Sequence, residues 1–367
     1  MKRWLIILLA ASFCANIAFA ETSRKRSDQY FRTALNYGKE GKFQEAAEEL
    51  KMIPAASAYF MPAQINLQMI EQVAGGKIES QAAIHVFKAL VLSGNTKFYP
   101  EAISECKKSI AINPDYVHAY GVAGEIYISR NMLKEAIAEF EKAIAIDPGF
   151  IDSYFGIAKA LILEGNPDEA IAWSKKAIAI DKNACQAYVN IALAYLRKGL
   201  FEQAISEVNK AIAIDPDFYN AYLSRGMIYS ENKMFEQGAA EFKKAISMDP
   251  DYFSGYYMLG IVYINKGNFE EAVAECKKII AAFPDKPSGH YGLGMIYTLM
   301  SKPDEMISEY EAGISLDPEN GQVHELLAEA YLKKDEYDLA IKHCDSANEL
   351  GYKIDPELLE MLEMHRE

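Results

Sequence analysis

Residues 117–150 read VHAYGVAGEIYISRNMLKEAIAEFEKAIAIDPGF, and variants of this string recur along the chain every 34 residues. Residues at the same position of successive copies form a column. One column consists of prolines, one of tyrosines and one of small residues. Columns that stay in register over several units indicate stacked copies of one supersecondary unit. The proline column consists of Pro114, Pro148, Pro216, Pro250, Pro284 and Pro318, with Lys182 in place of one proline.

Each unit reads as two helices. Tyr120, Gly124 and Tyr127 share one face of a first helix, because they lie three or four residues apart. Asn131 is predicted to end that helix, and glycine takes its place in other units, as suits the left-handed position after a helix C-terminus. A second helix is predicted over 134–146, where Asp147-Pro148 stops it. Neither helix can bury its apolar face alone, so stacking of units must supply the core.

The pattern resembles the tetratricopeptide repeat: a bulky residue, an aliphatic and a small residue three and four later, an aromatic, then alanine, a large apolar residue, alanine and proline. The matching residues are Tyr120, Ala123, Gly124, Tyr127, Ala136, Phe140, Ala143 and Pro148. The resemblance implies an all-α, right-handed α-solenoid of stacked helix-turn-helix repeats. Repeats are predicted at 83–116, 117–150, 151–184, 185–218, 219–252, 253–286, 287–320 and 321–354, with a separate one at 27–60.

The N-terminal segment MKRWLIILLAASFCANIAFA has the layout of a cleaved secretory signal peptide, residues 1–20. Lys2 and Arg3 precede an apolar run, and Glu21 would be the first mature residue. An uncleaved anchor and lipidation at Cys14 are the alternatives. The expected location is a bacterial periplasm or the exterior, and no later segment resembles a membrane span.

Residues 21–82 are predicted to hold the pair at 27–60 and an irregular extra helix at about 62–73. Gly75-Gly76 is the predicted hinge or boundary before the eight repeats of 83–354. Residues 355–367 contain Asp355 and Pro356, which can begin a last, capping helix.

Composition narrows the classes of function. The net charge is −14, so the chain repels phosphate backbones, and the sequence carries no nucleic-acid motif. Three cysteines, Cys106, Cys276 and Cys344, fall in the column of Phe140, which predicts buried thiols in separate units rather than disulfides. The fourth, Cys185, is also predicted to be a core residue.

No catalytic or cofactor-binding constellation is visible in the sequence. It lacks a glycine-rich phosphate loop, a His-Glu-x-x-His motif and a Cys-x-x-Cys motif. His290 and His324 replace the first tyrosine of their repeats and are predicted to be core histidines. His343 next to Cys344 is expected to point to a different helix face. The sequence therefore predicts neither an enzyme nor a metal site.

The first helices carry a second set of positions that the core does not explain. In each first helix, the residue directly after the first tyrosine and the residue four positions later lie on one face, next to the face that packs in the core. In similar proteins this face lines a groove for ligands, although such side chains can also pack against adjacent helices. The predicted groove consists of Phe155, Val189, Leu193, Leu223, Met227, Tyr257, Ile261, Tyr291 and Met295.

These residues predict a groove for an apolar or aromatic segment of a protein or peptide partner. Lys159, Asn190, Arg197 and Asn220 are too scattered to indicate a grip on a terminal carboxylate. The predicted function is an exported, non-catalytic scaffold or adaptor. The alternatives are a carbohydrate-binding or polymer-export solenoid, marked by groove tyrosines, and an enzyme with a polar cluster in 55–95. The sequence does not predict the oligomeric state.

Overall fold

The structure of the chain is a computed structural model that describes residues 26–53, 60–93, 98–248, 253–282, 284, 287–350, 352 and 354–366. Those residues form twenty α-helices and no strand. The all-helical class predicted from the repeat is confirmed. The predicted signal peptide and the lipidation alternative at Cys14 lie outside the described residues.

The helices belong to two compact units, one ending at Gly255 and one beginning at Tyr256. The first unit contains α1 Arg26–Lys39, α2 Phe43–Lys51, α3 Phe60–Ala74, α4 Ser80–Leu92, α5 Tyr99–Ile112, α6 Val117–Ser129, α7 Leu133–Ile146, α8 Ile151–Glu164, α9 Pro167–Ile180, α10 Cys185–Arg197, α11 Phe201–Ile214, α12 Tyr219–Glu231 and α13 Phe235–Met248. Helix α14, Phe253–Asn265, begins in the first unit and continues in the second. The second unit also contains α15 Phe269–Ala282, α16 Pro287–Leu299, α17 Pro303–Leu316, α18 Gly321–Leu332, α19 Tyr337–Glu349 and α20 Pro356–Glu363.

In the first unit, antiparallel pairs follow one another from α4/α5 to α12/α13. The first helix of each pair also packs on the first helix of the next, so that α6, α8, α10 and α12 form one layer. The second helices form the other layer, and each contacts the first helix that follows it. In the second unit, α16/α17 and α18/α19 pair in the same way, and α20 packs on α19.

The tyrosine column ties each repeat to the loop before it. Tyr120 and Tyr154 donate their hydroxyl hydrogens to the carbonyl oxygens of Pro114 and Pro148 at 3.0 and 2.9 Å. Tyr188 donates to Lys182, at 3.2 Å, in the same way. The hydrogen bond is kept when lysine replaces proline at this position, because the acceptor is the backbone carbonyl oxygen.

Side-chain volume is matched between the two helices of a repeat. A Cβ added at Gly124 would lie 2.6 Å from the Phe140 ring, and one at Gly226 would lie 2.7 Å from the Phe242 ring. The sequence predicts the same close approach at Gly260, a small residue between Leu259 and Tyr263, and this prediction is wrong. A Cβ at Gly260 would meet no atom within 4 Å. The physical reason is that Cys276 takes the place of the phenylalanine in this repeat.

The helix ends follow the sequence closely. Asn131, predicted to end the first helix of its repeat, has a positive φ of 57°. Lys233, Ser301 and Asp335 adopt the same conformation with φ of 60°, 56° and 61°. The repeat geometry therefore imposes the left-handed residue even where the side chain is neither glycine nor asparagine.

The irregular N-terminal region shares its core with the first repeats. Helix α1 packs directly on α4, and Gly38 lies against the ring of Phe87. One cluster of buried residues runs from Phe31 to Ala119. The core thus continues across Gly75-Gly76, where the sequence predicted a hinge or boundary. At the other end of the chain, the Asp355 side chain accepts a hydrogen bond from Glu357 N at the start of α20.

Candidate functional site

Neighbouring first helices place equivalent residues side by side. Lys159 Nζ lies 2.9 Å from Glu125 Oε2, and the two residues are one repeat apart on α8 and α6. Their position is continued by Leu193 on α10 and Met227 on α12. Residues 125, 159, 193 and 227, with Phe155 and Leu223 beside them, are called the first-helix face below.

Polar bonds fix the register of α8 and α10 below this face. Asn190 Nδ2 donates to the carbonyl oxygen of Phe155 at 3.3 Å, and Gln186 Nε2 donates to Asn190 Oδ1 at 3.0 Å. Arg197 donates from Nε and Nη2 to the carbonyl oxygen of Ile162, each at 3.3 Å. Asn190 and Arg197 therefore hold α10 against α8.

Four of the predicted groove residues in the first unit are half-buried. Phe155, Leu193 and Leu223 border the core clusters without entering them, and Met227 has a similar exposure. Val189 differs, because its side chain is only 2% exposed and lies in the core between α10 and α12. Val189 is therefore corrected from a groove residue to a core residue.

The predicted groove residues of the second unit are also half-buried: Tyr257, Ile261, Tyr291 and Met295. Tyr291 serves the packing of α16 on α17. Its ring covers Gly313, where an added Cβ would lie 2.2 Å from Cε1. Its hydroxyl donates to the carbonyl oxygen of Asp317 at 3.3 Å. Part of the Tyr291 surface is thus used within the fold.

Two acidic residues of the first helices have perturbed ionisation. Burial and then the nearby charge of Glu125 raise the pKa of Asp152 to about 6. Burial raises the pKa of Glu231 to about 7. Sequence reasoning missed both residues, because a carboxylate on a helix surface gives no sign of how far its neighbours shield it from water.

The four cysteines that the structure describes are not activated for chemistry. Cys106, Cys276 and Cys344 are buried and Cys185 is half-buried, and all four are free thiols. Burial raises the pKa of Cys106 and of Cys276 to about 12, and that of Cys185 to about 11. A nucleophilic cysteine needs a lowered pKa. The prediction that Cys106, Cys276 and Cys344 are buried is confirmed, whereas Cys185 is only partly buried.

The histidines form one pair that the sequence did not predict. His324 is buried, as expected for a residue that replaces the core tyrosine, and it bonds to His343. His290 is half-buried and bonds to Glu309. In the part of the chain that the structure describes, no group of three His, Cys, Asp or Glu side chains could hold a metal ion. None of the described helices is long and apolar enough to cross a membrane.

The fold and the first-helix face define a helical repeat protein of the tetratricopeptide class. Models described as tetratricopeptide repeat match residues 161–224, 219–252, 241–274 and 287–320, and one described as TPR repeat matches residues 124–165. The chain belongs to the tetratricopeptide repeat family. A sequence search of curated proteins finds no match.

Solved structures share the fold. Yeast Tom70 has a TM-score of 0.60 at 16% identity, over 92% of this chain and 80% of that chain. The human IFIT1 dimer with m7Gppp-AAAA has a TM-score of 0.51 at 16% identity, over 93% of this chain and 94% of that one. The APC/C hetero-tetramer Cut9-Hcn1 matches with a TM-score of 0.49 at 16% identity over 90% of this chain, which spans 64% of that chain. At such identity the likeness concerns the fold alone.

Proposed function

We propose that this protein is a non-catalytic scaffold that binds a segment of a protein partner on the first-helix face. The observation that carries this proposal is the half-burial of Leu193, Leu223 and Met227. Leu193 and Leu223 border core clusters without belonging to them. Apolar side chains held on a rigid layer of helices lose little conformational entropy when a partner covers them. A protein-interaction role is also what tetratricopeptide repeats generally supply.

The preferred partner segment is apolar or aromatic. Each of these three side chains can remove further apolar surface from water, at about 25 cal/mol per Å². A neighbouring ion pair, Lys159–Glu125, gives the face a polar rim at α6 and α8. Nucleic acid is disfavoured as the partner, because the chain carries a net charge of −14.

We further propose that the scaffold acts after export, in a periplasm or outside the cell. The support for this is the sequence of residues 1–20 alone. Mass determination of the N-terminus of the protein from its native host tests it. A chain beginning at Glu21 supports export with cleavage. A chain that retains residues 1–20, or one that begins at a lipidated Cys14, contradicts cleavage after Ala20 and indicates membrane anchoring.

Site-specific photo-cross-linking tests the binding face. A benzophenone side chain is placed at position 193 or 227, and matched controls carry it at Leu200 or Ile180, which are 39% and 45% exposed outside this face. The proposal expects one discrete cross-linked protein from positions 193 and 227 and none from the controls. Equal cross-linking from all four positions would show that the apolar character of the face does not select a partner.

A further inference from the structure

The last repeat contains a buried pair of histidines in direct contact. His324 on α18 and His343 on α19 are 6% and 8% exposed, and their Nδ1 atoms lie 2.9 Å apart. They occupy the same repeat positions as His290 and Glu309 in the preceding repeat, where His290 Nδ1 lies 2.8 Å from Glu309 Oε2. The last repeat thus replaces a histidine–carboxylate pair with a histidine–histidine pair.

The contacts fix which nitrogen carries each proton. His324 Nε2 lies 3.1 Å from the carbonyl oxygen of Pro318, which can only accept a hydrogen bond. His324 Nε2–H therefore donates, as the tyrosine hydroxyls do in the other repeats. A neutral His324 then has an unprotonated Nδ1, which accepts from Nδ1–H of His343. His324 must be neutral for this chain of two hydrogen bonds to exist, because its Nδ1 is the acceptor.

The charged and titratable groups around the pair come from each adjacent element. Tyr331 of α18 stacks on His343, with ring centroids 5.7 Å apart, and its hydroxyl donates to Glu311 of α17. Asp317, in the loop before α18, interacts with His324. Burial, and then the charges of His324 and Lys342, lower the pKa of His343 to about 4, against the opposing effect of Glu311.

We propose that the His324–His343 pair is a proton-sensitive latch that closes α18 against α19 at neutral pH and releases the last repeat on acidification. A second proton on His343 would leave its Nδ1–H donating to His324, but it would bury a positive charge between two helices, where the preceding repeat has the Glu309 carboxylate. This buried charge disfavours the closed pair. The release is local, because units of a repeat array contact only their neighbours.

The preceding repeat provides a control within the same chain. There the histidine faces a carboxylate, whose oxygens only accept hydrogen bonds and whose negative charge offsets a positive charge on the ring. The two repeats have the same helical architecture and the same positions for the pair. Acidification should therefore loosen α18 and α19 while leaving the His290–Glu309 pair, between α16 and α17, in place.

Hydrogen–deuterium exchange of the full chain at pH 7 and pH 5, corrected for the intrinsic pH dependence of exchange, measures this release. The latch predicts about a tenfold loss of protection for peptides within 321–350, because an open repeat would restore the ordinary histidine pKa near 6.5. Peptides within 287–316 should keep their protection. Unchanged protection of 321–350 between the two pH values would overturn the proposal.

Two substitutions separate the latch from general acid sensitivity. His343→Glu converts the pair to the type found at His290–Glu309 and should abolish the loss of protection at pH 5. His343→Gln keeps a hydrogen-bond donor to His324 that does not titrate, and it should reduce the loss. If either folded variant loses protection at pH 5 to the same extent as the original chain, the pair does not act as the latch. The Gln variant decides the question if the Glu variant fails to fold.

Discussion

The ring of Tyr310 lies directly against Gly294, so that a Cβ added at Gly294 would be 2.6 Å from Cδ1 and Cε1 of the ring. Glycine is required here by the neighbouring side chain and not by backbone conformation, since no positive φ is recorded at this position. The same relationship joins Gly124 to Phe140 and Gly226 to Phe242. Within a repeat, a large ring on one helix therefore packs against a glycine on the other, and this match sets the distance between the two helices.

The packing of glycine against an aromatic ring predicts opposite effects on stability for two glycine substitutions in the second unit. Gly294→Ala should cost about 1 to 3 kcal/mol of unfolding free energy through overpacking against Tyr310. Gly260→Ala should instead stabilise by about 0.5 to 1 kcal/mol, because alanine is the better helix former and the space beside Gly260 is open. Urea denaturation followed by circular dichroism compares the two variants. Destabilisation by Gly260→Ala would contradict the assignment of open space.

The cysteine column predicts a second contrast. Cys276, Gly260 and Gly292 occupy the repeat positions of Phe140, Gly124 and Gly156. A Cβ added at Gly292 would lie 3.2 Å from Cys276 Sγ, and one added at Gly260 would meet no atom within 4 Å. Cys276→Phe should therefore fold with an unchanged or higher urea midpoint. Cys344→Phe, whose repeat has Ala328 in place of glycine, should lose about 1 to 3 kcal/mol. A loss of equal size in both variants would show that the flanking glycines do not create the space.

The tyrosine hydroxyls are predicted to stabilise the stack. Tyr154→Phe removes the bond to the carbonyl oxygen of Pro148 and should cost about 1 kcal/mol. Tyr195→Phe, in the other tyrosine column, is the matched control, because no hydrogen bond of its hydroxyl is found among the described residues. The urea midpoints of the two variants should differ, and equal midpoints would argue against this role for the Tyr154 hydroxyl.

The first unit should lose stability in acid through His118. Its ring is 3% exposed, lies between Tyr116 and Phe150, and has no hydrogen-bond partner for either nitrogen among the described residues. Burial lowers the pKa of His118 to about 4 against the opposing charge of Asp147. A histidine in the unfolded chain has a pKa near 6.5. The stability that the buried neutral ring contributes is therefore complete above pH 6.5 and is lost as the pH falls towards 4.

His118→Phe should therefore remove part of the pH dependence of unfolding, by about 1 to 3 kcal/mol between pH 7 and pH 4.5. The quantity to compare at each pH is the difference in unfolding free energy between the variant and the original chain. Asp152 and Glu231 have raised pKa values, so they make the folded state more stable as the pH falls. This opposite effect is the same in the variant and in the original chain, and it cancels in the difference. A difference that stays constant with pH would contradict the buried neutral histidine.

The sequence predicted the fold to a fine level because the determinants are local and repeated. The tyrosine, glycine and proline columns give the helix pairs, and Asn131 has the expected left-handed backbone. The errors arose where side chains depend on a partner from another helix. Gly260 has no aromatic partner, Val189 is covered by its neighbours, and His343 meets a histidine nineteen residues before it. Periodicity assigns a residue to a face, but the neighbouring residue decides whether that face is open.

The measurement that tests the central claim most directly joins stability and binding in one double variant. Leu193→Glu with Met227→Glu places charges on the first-helix face, and Val189→Glu places one in the core as a control. We expect the double variant to melt within a few degrees of the original chain and to bind the purified cross-linked partner at least tenfold more weakly, or about 1.4 kcal/mol. We expect Val189→Glu to unfold the first unit, because it buries an unpaired charge. Unchanged partner affinity in a folded double variant, or a collapse of its melting temperature, would contradict a binding site on the first-helix face.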